Sequence, residues 1–285
     1  MAAEETPAPK PNNPAPEQLP REITVYSHSN LFYWWPVWFV AYVLALLTWW
    51  DGHLLAVVPK NSKAEQVTTK DGVQRDVILA GESGQLLKDE KGSLVQPRLH
   101  IASSKNYGVI FCLTLLLVIF ITNVPLRGMW SVLIVIVLVM GVTILMLAGF
   151  WDNILDKYHQ LDIRINLGGY LFVGTGLLLL WIIAIGFFDR QIYVTFTPGQ
   201  IRVKVEIGDG EKVYDSYGMT LEKQRSDLFR HWILGLSFFG IGTGDLIIHT
   251  SGAQSHTFDL PNVLGIDRKI RQIEQMLQTK EVNMN

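Results

Sequence analysis

The chain has 285 residues, of which 49% are hydrophobic and 18% are charged. This composition is typical of a membrane protein rather than a disordered or strongly polar one. A net charge of −2 excludes the strongly basic field of a general nucleic-acid binder, so we expect no nucleic-acid partner. The single cysteine, Cys112, has no second cysteine with which to form an internal disulfide.

The first segment, residues 1–22, combines prolines, small residues and acidic residues. Such a segment buries too little apolar surface to offset the entropy lost on ordering. We therefore predict a disordered, Pro-rich tail. It lacks a positively charged stretch followed by an apolar one, so we do not expect a signal peptide.

Four apolar runs follow, and each meets or approaches the roughly 20 residues that a helix needs to cross a bilayer. They contain no acidic, basic or histidine residue, and they are residues 31–50, 108–126, 128–151 and 170–188. Tryptophans lie toward the ends of several runs, as is typical at membrane interfaces. We predict a transmembrane region of four helices over residues 23–188.

The connections between these spans differ in character. A tight turn is expected at 123–128, and the GTG at 174–176 is expected to allow close helix packing. Residues 51–107 are polar and predict an extramembrane loop with a hairpin at Asp71-Gly72. Residues 152–169 fit either an interfacial helix or a solvated connector. Because the spans lack ionisable residues, an anchoring or assembly role is favoured over a transport path.

From Gln191 onward, apolar residues alternate with the period of a β-strand. On one predicted strand Ile192, Val194 and Phe196 alternate with Tyr193, Thr195 and Thr197. On the next, Ile201, Val203 and Val205 alternate with Arg202, Lys204 and Glu206. Pro198-Gly199 provides the turn between these two strands.

Further strands are expected after residue 210 and on both sides of Ser251-Gly252. The spacing then becomes helical, with Pro261 in the first turn and one apolar face, which consists of Val263, Ile266, Ile270, Ile273 and Leu277. We predict a β-barrel or sandwich capped by one helix over residues 189–285.

The motifs of residues 189–280 resemble those of the bacterial pleckstrin-homology-like domain family, which has a QSxLxR strand, a GxGxL/D-I-x-T segment and a closing L-x-N/D-V. The matching residues are Gln224, Ser226, Leu228, Arg230, Gly242, Gly244, Asp245, Thr250, Leu260, Asn262 and Val263. Arg225 departs from the pattern, since it separates a glutamine and a serine that are commonly adjacent. The resemblance implies a pleckstrin-homology-like fold with binding surfaces rather than an active site.

The glycines at 240, 242 and 244 raise three alternatives. A dinucleotide loop needs a helix after its glycines, but a strand-like run follows. An intramembrane aspartyl protease needs a second aspartate in a span, and the spans contain none. A fifth span at 232–248 would bury Asp245 at high cost. We therefore predict a bend or bulge, with Asp245 bonded to nearby backbone amides.

We expect no catalytic residue, metal ligand or cofactor. His249 and His256 can approach each other across a turn, but no third ligand is placed to complete a metal site. The candidate contact with the membrane surface or a partner is a basic cluster beside an indole, which consists of Lys223, Arg225, Arg230 and Trp232. The alternative, a solvated strand face, is favoured because strand alternation would split these charges between two faces.

The sequence therefore predicts a non-catalytic protein of the bacterial inner membrane whose pleckstrin-homology-like domain is a binding or scaffolding module. The expected partners are the lipid bilayer and either a second copy of the chain or another membrane protein. A subunit of a membrane transport or export complex is the alternative. The count of Lys and Arg near the span ends slightly favours outside termini, whereas the family resemblance implies cytoplasmic ones.

Overall fold

The computed structural model describes residues 22–80, 85–86, 88–124, 128–204, 210–225, 227–237, 242–251 and 255–282. The chain forms two compact units. The membrane unit comprises His28–Asp189 and Arg225–Ile241, and the β unit comprises the residues up to Ser27, Arg190–Gln224 and those from Gly242 onward. The predicted disordered tail lies outside the described residues except for Glu22.

The membrane unit contains the four predicted spans. A short strand, β1 (Ile23–Tyr26), precedes them in the chain, and the helices are α1 (Trp35–Asp51), α2 (Asn106–Asn123), α3 (Met129–Leu147), α4 (Trp151–Gln160) and α5 (Leu167–Ile183). All but α4 are long and apolar enough to cross a bilayer, with short helical turns at Asn30–Trp34 before α1 and at Ala184–Gln191 after α5. These four helices coincide with the four predicted spans, and residues 125–127 of the turn predicted at 123–128 lie outside the described residues.

Close packing of α1 against α5 occurs at Gly174. A methyl group at this position would lie 3.0 Å from the Cβ atom of Ala41, which is fully buried. Nearby, the hydroxyl oxygens of Tyr42 and Thr175 are 2.9 Å apart. No atom lies within 4 Å of a methyl group placed on Gly176. The predicted packing role of the GTG is therefore confirmed at its first glycine.

We expect Gly174→Leu to force α1 away from α5 and to lower the free energy of unfolding by about 1–3 kcal/mol, which is typical of overpacking. Gly176→Leu is the matched control, because that position faces open space, and its effect should stay within about 0.5 kcal/mol. Thermal unfolding of the detergent-solubilised protein measures both effects. Equal losses in the two variants would contradict the close contact.

The extramembrane loop between α1 and α2 forms two small antiparallel sheets. In one, β2 (His53–Leu55) pairs with β5 (Leu99–Ile101), and in the other β3 (Lys63–Thr68) pairs with β4 (Gln74–Leu79). In the connection between β3 and β4, Gly72 adopts a φ of 77°. Glycine accepts this left-handed conformation without a Cβ penalty. The hairpin predicted at Asp71-Gly72 is confirmed. Within residues 152–169, α4 occupies the first part rather than an unstructured connector.

The β unit contains two sheets and the terminal helix. Its remaining elements are β6 (Tyr193–Thr197), β7 (Gln200–Lys204), β8 (Lys212–Asp215), β9 (Thr220–Gln224), β10 (Thr243–His249), β11 (Thr257–Leu264) and α6 (Ile266–Val282). The strand orders are β1-β6-β7-β8 and β11-β10-β9, with neighbouring strands antiparallel. Within the described residues the sheets are open and do not close into a barrel.

Both sheets and α6 contribute to one apolar core. Of the six alternating apolar residues, Val194, Phe196, Ile201 and Val203 are buried, and they pack with Leu246, Ile248, Leu260, Val263, Ile266, Ile273 and Met276. Ile192 precedes β6 and is partly buried, and Val205 lies outside the described residues. The predicted start of the helix is wrong, because Pro261 and Val263 belong to β11 and α6 begins only at Ile266. A strand can hold Pro261 here because the ladder is locally irregular at this point.

That irregularity lies opposite the GxGD sequence. The register shifts between Gly244 and Leu246, so that one extra residue of β11 is accommodated near Asn262, whose φ is 58°. The buried side chain of Asp245 accepts a hydrogen bond from the Asn262 backbone N–H at 3.0 Å. The prediction of a bulge with a backbone-bonded Asp245 is confirmed. Residues 243–249 form a strand rather than a helix, which is inconsistent with a fifth span.

Strand β1 was not anticipated from the sequence, which placed residues from 23 onward in the membrane region. Ile23 and Val25 are buried in the core of the β unit, and the hydroxyl oxygens of Thr24 and Thr195 lie 3.0 Å apart. The pairing of β1 with β6 joins the residue stretches before the first span and after the last. These stretches therefore lie on one side of the membrane, as four spans require.

Candidate binding surfaces

The structure distributes the predicted contact residues over both units. Lys223 belongs to the β unit, whereas Arg225, Arg230 and Trp232 belong to the membrane unit. The strand that the family resemblance implies over residues 224–230 ends at Gln224, and Phe229–Leu234 forms a helical turn. Alternation between strand faces therefore does not separate the charges of this stretch.

Arg230 is held inside the membrane unit by a buried ion pair. Its Nε atom lies 3.5 Å from Oδ2 of Asp227, and the two side chains are only 9% and 2% exposed. The Arg230 backbone N–H donates to Oδ1 of Asp227 at 2.9 Å, and its Nη1 donates to Oδ1 of Asn30 at 3.2 Å. Arg230 thus has a structural position rather than an exposed one that suits lipid headgroups.

We call residues 227–237 the helical segment. Besides Arg230, other residues of this segment form hydrogen bonds to the turn before α1 and to the first residue of α1. The hydroxyl oxygen of Tyr33 lies 3.2 Å from Nδ1 of His231, and both side chains are buried. Trp35 donates from Nε1 to the carbonyl oxygen of Leu234 at 2.9 Å. Of the predicted cluster in this unit, Arg225 and Trp232 are the exposed members, and Trp232 is 53% exposed.

A second polar contact connects the beginning of the first span with the end of the last. Nδ1 of His28 lies 3.1 Å from Oδ2 of Asp189, and the Ser29 backbone N–H donates to Oδ1 of the same carboxylate at 3.1 Å. Asp189 is only 3% exposed. Sequence reasoning missed this pair, although His28 lies only three residues before the first predicted span and Asp189 directly follows the last one.

The β unit contains a different candidate surface between β9 and α6. This pocket of about 280 Å³, which we call the charged groove, is lined by Leu221, Lys223, Asp267, Ile270, Arg271 and Glu274. Nζ of Lys223 and Oδ1 of Asp267 are 2.6 Å apart, and both side chains are 40% exposed. Two apolar side chains surrounded by a charged rim match the general pattern of protein–protein interfaces, which have an apolar core and a polar rim.

The titratable groups near these elements have perturbed pKa values with clear causes. The pKa of Glu222 is lowered, first by the hydrogen bond from the Gln224 side chain and then by His249. On α6, burial lowers the pKa of Lys269, whose Nζ donates to the Thr24 carbonyl oxygen at 3.2 Å. Lys269 therefore helps to fix β1 against α6.

Within the part of the chain that the structure describes, no group of three His, Cys, Asp or Glu side chains is placed to hold a metal ion. Comparison with protein-family models, curated proteins and solved structures finds no match to the chain.

Proposed function

We propose that this chain is a non-catalytic integral membrane protein whose β unit is a pleckstrin-homology-like binding or scaffolding module. The architecture that supports this proposal is two open antiparallel sheets and a C-terminal helix around one core. The chain passes from the last span into this unit without a long linker, so the module stays close to the membrane.

The charged groove is the observation that carries the proposal. β9 lies at the edge of its three-stranded sheet, and the groove runs between this strand and α6. An edge strand can pair with an extended segment of another protein, while a neighbouring groove receives its side chains. The rim offers both signs of charge, which gives specificity more than affinity. The proposed ligand is therefore an extended segment of a second copy or of another membrane protein.

We expect a photoreactive amino acid placed at Arg271, on the rim of the groove, to crosslink one defined protein in intact cells. The mass of the adduct distinguishes a second copy of the chain from a different membrane protein. Adding Lys223→Glu should reduce this crosslink, because with Arg271 already replaced by the probe the rim then has only carboxylates. The exposed Lys223–Asp267 pair contributes only about 0.2–1 kcal/mol, so this variant should fold.

Arg202 provides the control position, since it is exposed on β7 and does not line the groove. The same photoreactive residue at Arg202 should not give the adduct. Identical adducts from both positions would show contact with the β unit in general, and no adduct from Arg271 would overturn the groove as the binding site.

A subunit of a membrane transport or export complex is the second candidate function, and one observation favours it. Only 6% of the residues in the α3 span are buried, compared with 39% in the first span, 33% in the second and 11% in the last. Its surface is therefore available to other transmembrane helices as well as to lipid. Crosslinking from α3 to a different multi-span protein would favour this candidate over the scaffolding module.

We place the protein in the bacterial inner membrane, with both termini and the β unit in the cytoplasm. In a Cys112→Ser background, Lys70→Cys in the β3–β4 turn should react with an impermeant thiol reagent in intact cells, and Ser251→Cys in the β unit should not. Both positions are exposed, so burial does not limit labelling. Labelling only at position 251 would put the termini outside, as the charge count suggests, and labelling at both would contradict four spans.

A further inference from the structure

The extramembrane loop exposes apolar side chains to an unusual extent. Val57 is 62% exposed and Leu94 is 52% exposed, although neither belongs to a span. Exposed apolar patches outside a membrane span mark binding surfaces when several such residues are contiguous. Val57 and Leu94 both line one cleft.

This apolar cleft has a volume of about 340 Å³ and is formed by β2, β4, β5 and the chain between them. Its main apolar lining residues are Leu55, Val58, Ile78, Leu94, Val95 and Leu99. Ligand sites in proteins commonly have volumes of about 300–1,000 Å³ and a mostly apolar lining. A cleft at the lower end of this range suits one acyl chain better than the two chains of a phospholipid.

The polar residues of the lining indicate which chemical group the ligand carries at its polar end. Gln96 and Arg98 are the polar lining residues, and Arg98 is exposed. Within the described part of the chain, no carboxylate forms an ion pair with Arg98. A guanidinium is suited to bidentate binding of a carboxylate or phosphate.

The position of the cleft in the chain indicates the source of the ligand. β2 begins at His53, just after α1 ends at Asp51, and β5 ends at Ile101, just before α2 begins at Asn106. An extended chain advances at most about 3.6 Å per residue, so the lining strands start within a few residues of the membrane surface. The bilayer can supply an amphiphile directly to this cleft.

We propose that the apolar cleft binds a single-chain anionic lipid from the bilayer, with its acyl chain against the apolar wall and its carboxylate or phosphate against Arg98. The test uses the full chain in lipid nanodiscs and two photoreactive probes with a mid-chain diazirine. One probe is a C16 fatty acid, and the other is the corresponding C16 alcohol. Mass spectrometry locates the labelled peptides.

The fatty acid should label residues 94–99 at low probe concentration. Arg98→Gln should weaken labelling by the fatty acid about tenfold and leave labelling by the alcohol unchanged, because only the acid carries a charge. A tenfold loss corresponds to about 1.4 kcal/mol, which is reasonable for one charge-assisted hydrogen bond. Arg75→Gln is the matched control, since this exposed arginine on β4 does not line the cleft.

Two results would overturn the proposal. One is labelling confined to the spans, and the other is an equal effect of Arg98→Gln on both probes. A second variant, Val57→Cys with Cys112→Ser, tests whether a second copy occupies the cleft instead. Rapid disulfide-linked dimers that excess fatty acid does not suppress would assign the cleft to an interface between chains.

Discussion

Replacing Arg230 by methionine is expected to lower the opening free energy of the helical segment by about 3–5 kcal/mol. The substitution keeps much of the side-chain volume but leaves the carboxylate of Asp227, which is only 1% exposed, without its cationic partner. Removing one member of a buried pair is strongly destabilising, because the remaining charge stays desolvated and uncompensated. Hydrogen exchange of the amides at 227–237 in nanodiscs measures this local free energy.

The control for this prediction removes both charges. In the double variant Asp227→Asn, Arg230→Met, neither position of the pair carries a buried charge, and the asparagine can still accept the backbone N–H bond at position 230. Replacement of a buried ion pair by neutral groups is often close to neutral in stability. We therefore expect the double variant to recover most of the loss. A loss in the double variant as large as that in the single one would mean that packing, rather than charge, controls the segment.

The parts of the fold that the sequence predicted depend on local patterns. The four spans follow from uninterrupted apolar runs, and the β6–β7 hairpin follows from alternation around Pro198-Gly199. Asp245 was correctly identified as structural because a strand-like run follows it and the spans contain no aspartate. In each case a short window of residues contains the whole signal.

The parts that were missed depend on contacts between distant residues. Thr24 and Thr195 meet across 171 positions of sequence, so no local pattern around β1 indicates its partner. Arg230 was assigned to a basic surface cluster because its charge is visible in the sequence, whereas its burial beside Asp227 depends on tertiary packing. Lys223, Arg225, Arg230 and Trp232 remain a predicted contact set, with Lys223 in the β unit and the other three in the membrane unit.

The second prediction with a large expected effect concerns β1. It tests whether the residues before the first span complete the β unit. Val25 is fully buried, pairs with Val194 and packs in the core of this unit. Val25→Asp would place a carboxylate in that apolar core, which costs several kcal/mol. We expect a loss of about 3–5 kcal/mol in the stability of the β unit.

Val213 on β8 provides the matched control, because it is a strand valine of the same unit but is 56% exposed. Val213→Asp should change the stability by about 0.5 kcal/mol or less. Hydrogen exchange of residues 193–197 measures both variants, since β6 is the strand that β1 pairs with. If Val25→Asp left the protection of β6 as high as Val213→Asp does, β1 would not be part of the folded unit. A selective loss would instead mean that the β unit is complete only when the chain segments before the first span and after the last span pair with each other. Folding of the β unit would then depend on correct insertion of the four spans that lie between these segments.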